Sequence, residues 1–190
     1  LVDRIRACKD DQERDLMREA SRLNDLAIDK LIKLVPKRYT EKKLAQLLPG
    51  IYEELGADGL SFDPIISYGA NAADPHHAPE DTPLKEGDCI ILDIGCKKGS
   101  YCSDMTRTVF YKYASEHAKK VYDIVLEANK RAIAKVKPGA RFCDIDAAAR
   151  SYIDAAGYGK GFLHRTGHSI GLDVHDFGDV SSSNKDQVQP

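Results

Sequence analysis

Apolar residues recur at spacings of three and four from Asp10 to about Val35: Leu16, Met17, Ala20, Leu23, Ala27, Leu31 and Leu34, with charges between them. That period places them on one face of a helix, and Pro36 stops it. Thr40 is placed to cap a second helix running to about Leu55 and ending at Gly56. Within it, Pro49-Gly50 is expected to kink or divide the helix, because proline lacks an amide donor and clashes with the preceding turn. The pattern then becomes strand-like over Ser61 to Ser67, Asp88 to Gly95 and Tyr101 to Tyr111. Between these lie two loops, Tyr68 to His77 and Asp81 to Gly87. Ser115 caps a long helix whose apolar face is Ala118, Val121, Tyr122, Val125, Ala128, Ala132, Ile133 and Val136. Pro138-Gly139 ends it. A further helix spans Asp144 to Ala156 and ends at Gly157, and Gly159 to Pro190 reads as strands and loops. The order helix, helix, strands, helix, helix, strand is that of a duplicated unit, although no sequence repeat supports duplication.

Composition sets the frame for these elements. The 190 residues fit one domain, 1–190, large enough to bury a core. With 42% hydrophobic and 31% charged residues, the chain reads as globular and soluble. A net charge of -2, with both signs mixed, gives no footprint for nucleic acid or anionic lipid. The apolar run Cys89 to Ile94 is far too short to span a bilayer, and the N-terminus has no signal-peptide pattern. Cys8, Cys89, Cys96, Cys102 and Cys143 are odd in number and scattered, so they read as small buried hydrophobes in a reducing, cytoplasmic setting. Opening on Leu1 and closing on Gln189-Pro190, the sequence reads as a piece of a longer protein.

Candidate chemistry begins in the strand pair around Lys97. If Lys98-Gly99 is a two-residue turn, Asp93 faces Asp104 directly and Ile91 faces Thr106, with Cβ atoms roughly 4.5 to 5.5 Å apart. Two opposed carboxylates repel, and an Asp within an apolar strand costs on the order of several kcal/mol unless compensated. Divalent cations would offset both penalties. An ion pair with Arg107, or a register slip that places one Asp in solvent, would also do so.

Histidines supply a second signal. His76 and His77 lie in the loop after Asn71, and His164, His168 and His175 lie in the tail. His117, alone on a helix, reads as a solvated residue. Neutral imidazole is a common ligand for divalent metals, and the glycines beside the tail histidines permit close approach of a substrate backbone. The spacing is not that of a helical H-E-x-x-H site.

Taken together, Asn71-Ala72-Ala73-Asp74-Pro75-His76, Leu92-Asp93-Ile94-Gly95, Ser103-Asp104-Met105-Thr106-Arg107 and Gly167-His168-Ser169-Ile170-Gly171-Leu172-Asp173-Val174-His175-Asp176 resemble the successive motifs of metallopeptidases with the pita-bread fold. The Leu-Asp-Val-His-Asp ending resembles the Xaa-Pro aminopeptidase and Xaa-Pro dipeptidase (prolidase) branch. This resemblance implies an α+β fold: a curved antiparallel sheet flanked by two pairs of helices, with its C-terminal part missing here. It implies two divalent metal ions, with manganese first and cobalt or zinc as alternatives. Asp93, Asp104 and His168 match metal ligands, and Asp104 matches the bridging one. His76 and His175 match the catalytic outer histidines, His164 lines the pocket around the scissile proline, and His77 matches no role. Thr106 would orient Asp104 from behind. The implied substrate is a peptide with proline in second position. By analogy a homodimer is expected, with no nucleic-acid or membrane partner.

The family completes its metal site with two glutamates, the first in a Glu-Pro-Gly motif, and one of them is expected to act as general base. Neither motif is among these residues, and the N-terminal domain of the branch is absent too. The 190-residue chain alone is therefore expected to bind metal weakly and to lack appreciable peptidase activity. Two other functions fit the resemblance: a non-catalytic homologue that binds protein partners, and a metal-free amidinohydrolase resembling creatinase.

Overall fold

A computed structural model describes residues 2–189. The elements in chain order are α1 (Val2–Ala7), α2 (Asp11–Leu34), α3 (Glu41–Leu55), β1 (Gly59–Leu60), β2 (Ile65–Tyr68), β3 (Cys89–Ile94), β4 (Cys96–Lys98), β5 (Tyr101–Cys102), β6 (Met105–Phe110), α4 (Glu116–Lys135), α5 (Phe142–Ala155), β7 (Gly167–Ser169) and β8 (Asp176–Val180). They fall into two compact units. One holds Lys9–Ser115 with Ile170–Val174, and the other holds Leu1–Cys8, Glu116–Ser169 and His175–Pro190.

In the larger unit, α2 starts on a reciprocal cap. Asp10 accepts from the Glu13 amide, while Glu13 accepts from the Asp10 amide. Its predicted apolar face is the one that packs: Ala20, Leu23, Ala27 and Leu31 are buried, as is Ile28. Helix α3 is capped by Thr40 and closed by a left-handed Gly56, and it runs through Pro49 without dividing. Pro49 and Gly50 lie on its exposed side, where water can take up the carbonyl that proline leaves without a donor.

Strand β3 is central in an antiparallel sheet, between β2 and β6. Its Ile90, Leu92 and Ile94 are fully buried against α2 and α3, with Leu44, Leu48 and Ile66. Each such side chain is worth about 1.5–3 kcal/mol in burial. Inside this core Asn24 is fully buried and satisfied at both ends of its amide. Its Nδ2 donates to the Ile94 carbonyl at 2.9 Å, and its Oδ1 accepts from Tyr52 at 2.5 Å.

The hairpin register differs from the one expected. Lys98 pairs with Tyr101, so the turn is Gly99-Ser100, and both residues have positive φ. This left-handed pair is the hairpin geometry that matches strand twist. The shift makes Thr106, not Asp104, the partner of Asp93, and Thr108 the partner of Ile91. The predicted strand Tyr101 to Tyr111 is also interrupted, at Ser103-Asp104. Gly95 links β3 to β4, where a Cβ would overlap the Ser103 carbonyl and Ser61 Oγ.

In the other unit, α4 packs on α5 through Ala128, Ala132, Ile145, Ala149 and Ile153. The predicted apolar face of α4 is only partly used: Val125 is 52% exposed and Ile133 62%, and Tyr122 and Val136 are also exposed. The contact with α5 is made by small residues, so the packed stripe is narrower than the sequence pattern. Helix α5 has no side-chain cap. Its first amides instead donate to the Asp186 and Asn184 carbonyls, at 3.0 and 2.8 Å. Strands β7 and β8 pair antiparallel, with an irregularity between His168 and Ser169. Of the five cysteines only Cys96 and Cys102 are buried, and Cys8 is exposed. No helix among the described residues is long and apolar enough to cross a membrane.

Candidate metallopeptidase site

The pleat turns Ile90, Leu92 and Ile94 inward, so Asp93 stands on the opposite, half-buried face of β3. The desolvation penalty expected for a carboxylate in an apolar strand is therefore reduced. Thr106 Oγ1 donates to Asp93 Oδ1 at 2.8 Å. The hydroxyl expected behind Asp104 thus holds Asp93, because the shifted register puts Thr106 directly across from it. Asp104 is exposed and two residues from Thr106 along the same strand direction. It lies in the break between β5 and β6, outside the β3–β6 ladder, which ends at Ile94 opposite Met105. Arg107 pairs instead with Asp25, at 3.8 Å and exposed to solvent.

His76 is exposed, on the loop that follows β2. Its amide donates to Asp74 Oδ1 at 2.9 Å. The neighbouring His77 has its Nε2 2.8 Å from Glu41 Oε2. Glu41 is fully buried. Its Oε1 accepts from the Tyr68 amide at 2.7 Å and Asn71 Nδ2 at 3.0 Å, and its Oε2 also accepts from the Glu80 amide at 3.0 Å. Burial alone would raise the Glu41 pKa, but the donors from His77, Glu80, Tyr68 and Asn71 outweigh it and hold the carboxyl below its ordinary value. Burial, and then the Glu41 charge, push the Tyr68 phenol up to about 12.

The other unit carries the tail histidines. The rings of His168 and His175 lie 4.3 Å apart, tilted by 49°. His168 Nδ1 is 3.0 Å from the Ser169 carbonyl, which can only accept. The Nδ1 therefore carries a proton, and in the neutral ring the lone pair is on Nε2. His164 is exposed, with Nδ1 3.1 Å from the Arg165 carbonyl. Its own carbonyl accepts from Arg150 at 2.9 Å.

That arginine belongs to a second buried hub. Asp146 on α5 is fully buried and takes Arg150 in a fork, at 2.8 and 3.0 Å. It also accepts the Thr166 hydroxyl at 2.7 Å and the Thr166 amide at 3.2 Å. Burial opposes ionisation of Asp146, but the donors from Arg150 and Thr166 outweigh it and lower its pKa. The hub ties the His164-Arg165-Thr166 segment to α5.

Sequence reasoning missed both hubs. Glu41 follows a capping threonine and reads as an ordinary acidic first-turn residue. Asp146 and Arg150 stand four apart and read as a surface pair. A usable signal was present only for Asp146, which shares helical spacing with Ala149 and Ile153 on the apolar stripe.

Donor types that suit a divalent cation occur in each unit: the carboxylates Asp93 and Asp104 in the larger one and the His168 imidazole in the other. Among the described residues, however, no three His, Cys, Asp or Glu side chains gather in an arrangement that would hold a metal ion.

The motif order, the antiparallel sheets and the paired helices define a class, the pita-bread metallopeptidases. Residues 15–190 match the model of metallopeptidase family M24, and the chain belongs to that family. It is 37% identical over 185 residues to an uncharacterized peptidase of Staphylococcus saprophyticus, covering 97% of this chain and 53% of that protein. An X-Pro aminopeptidase from Thermotoga maritima superimposes with a TM-score of 0.95 at 34% identity, over 99% of this chain and 53% of its own. A Xaa-Pro dipeptidase from Bacillus anthracis gives 0.97 at 33%, over 100% and 53%. The chain thus spans about half the length of the relatives it matches.

Proposed function

We propose that the protein to which this chain belongs is a two-metal peptidase that cuts the bond between an N-terminal residue and a following proline. The observation that carries this reading is the Thr106 hydroxyl set on Asp93 at 2.8 Å, within a chain of family M24. Asp93, Asp104 and His168 are the proposed metal ligands, with His168 binding through Nε2. His76 and His175 hold the substrate and steady charge on the carbonyl oxygen, and His164 lines the pocket for the proline ring. Two divalent ions held there, manganese in the first instance, would supply Lewis acidity and lower the pKa of a bound water. The similarity to enzymes whose names specify Xaa-Pro substrates supports this specificity.

The test uses the full-length protein with manganese and Xaa-Pro peptides of two and more residues. Cleavage is expected, and Asp104→Asn is expected to abolish it. Unchanged turnover in that variant would remove Asp104 from the site, and retained fold without any hydrolysis would favour a protein-binding homologue. Hydrolysis of an amidino substrate without metal would favour the creatinase-like alternative. The 190-residue chain alone is expected to bind metal weakly and to lack appreciable peptidase activity. Two equivalents of tightly held metal by elemental analysis would contradict the first expectation.

A further inference from the structure

We propose that Glu41 and His77 form a clamp that positions the loop carrying His76. The inference rests on the catalytic role proposed above for His76, and it gives His77, which matches no family role, a function. Glu41 is the first residue of α3 and is fully buried. All four of its donors come from residues 68–80, and they bracket the loop. Tyr68 ends β2, Asn71 lies in the helical turn Gly69–Ala73, and His77 and Glu80 lie beyond His76. The Glu80 carbonyl returns to the same helix by accepting the Lys42 amide at 2.9 Å. Beyond the helical turn, the loop has backbone bonds from Asp74 to Asn71 at 3.1 Å and from His77 to Asp74 at 3.3 Å, and the His76 amide donates to Asp74 Oδ1 at 2.9 Å. One carboxylate on a packed helix therefore ties the two ends of the loop together.

His77 is the tie next to the working residue. Its side chain is 11% exposed, and the acceptor Glu41 requires a proton on its Nε2. The bond anchors the chain one residue after His76, so losing it would loosen the backbone that carries His76 without removing any group from the reacting atoms. A displacement of about 1 Å in such a group can lower turnover by up to about 10²-fold.

The experiment compares full-length wild type, His77→Ala, His77→Gln and His76→Ala with manganese. Glutamine can place an amide donor where the imidazole Nε2–H stands. His77→Ala is expected to lower kcat by about 10- to 100-fold with little change in KM or metal content, and His77→Gln to restore most of it. Amide exchange over residues 69–80 is expected to speed up in His77→Ala and to return towards wild type in His77→Gln. Unchanged exchange in His77→Ala would overturn the clamp. Faster exchange with unchanged kcat, while His76→Ala is impaired, would overturn its positioning role. Should the wild-type protein cut no Xaa-Pro peptide, the proposed function fails, and loop exchange alone decides the clamp.

Discussion

Replacing Asp146 by Asn tests how much the second hub contributes. The substitution keeps the shape and one acceptor oxygen. Thr166 can still donate to that oxygen, as it does now at 2.7 and 3.2 Å. The new amide nitrogen, however, would face Arg150 Nε, which now bonds the carboxylate at 2.8 Å. Two donors would then oppose each other, and the guanidinium would lose its counter-charge. Breaking a buried ion pair from one side costs about 3–5 kcal/mol. Arg150 is 31% exposed and keeps the Phe162 and His164 carbonyls as acceptors, at 3.0 and 2.9 Å. The lower end, about 3 kcal/mol, is therefore expected. For a chain of this size that corresponds to a fall in Tm of about 6–12 °C, measured by circular dichroism. Arg150→Met added to Asp146→Asn should recover part of the loss, because it removes the unpaired charge. A drop in Tm below about 2 °C would refute the claim that this pair carries structural free energy.

The hubs also predict a pH dependence. Glu41 and Asp146 both have lowered pKa values in the folded state. Their contribution is present above the ordinary carboxylate range, about 4, and is lost as pH falls through the lower folded values. Denaturant midpoints between pH 2 and 7 should show this fall, and Glu41→Gln should flatten part of it; parallel curves for the two proteins would exclude Glu41 as a contributor. Thr106→Val removes the donor to Asp93 without changing shape. Metal titration of the full-length protein should show affinity lower by about 10- to 100-fold, and equal affinity would mean that Asp93 needs no such support.

Much of the architecture was legible because local chemistry and tertiary packing agree. The three-and-four spacing of α2, the Thr40 cap and the Gly56 stop of α3 are decided within a few residues. So is the alternation that turns Ile90, Leu92 and Ile94 inward. The candidate ligands were legible for a different reason: motif order along the chain survives any error in geometry.

What failed were properties set by residues distant in sequence. The hairpin could turn at Lys98-Gly99 or at Gly99-Ser100, and a small shift of the turn moves every partner. Packing of the Gly95 linker against Ser61 and Ser103 accompanies the observed register, and the register decides that Thr106 serves Asp93. The apolar residues of α4 exceed what α5 covers, which no helical periodicity reveals. Glu41 and Asp146 look like surface carboxylates in the sequence. Only the fold shows that each is sealed from water and accepts from residues distant in sequence, Glu41 from residues 68–80 and Asp146 from Thr166 as well as from Arg150. The sequence by itself determined the elements, the family resemblance and the identity of the candidate ligands. Tertiary structure decided which carboxylate is oriented by which hydroxyl, and which buried groups hold the histidine loops, because both depend on register and packing rather than on residue type.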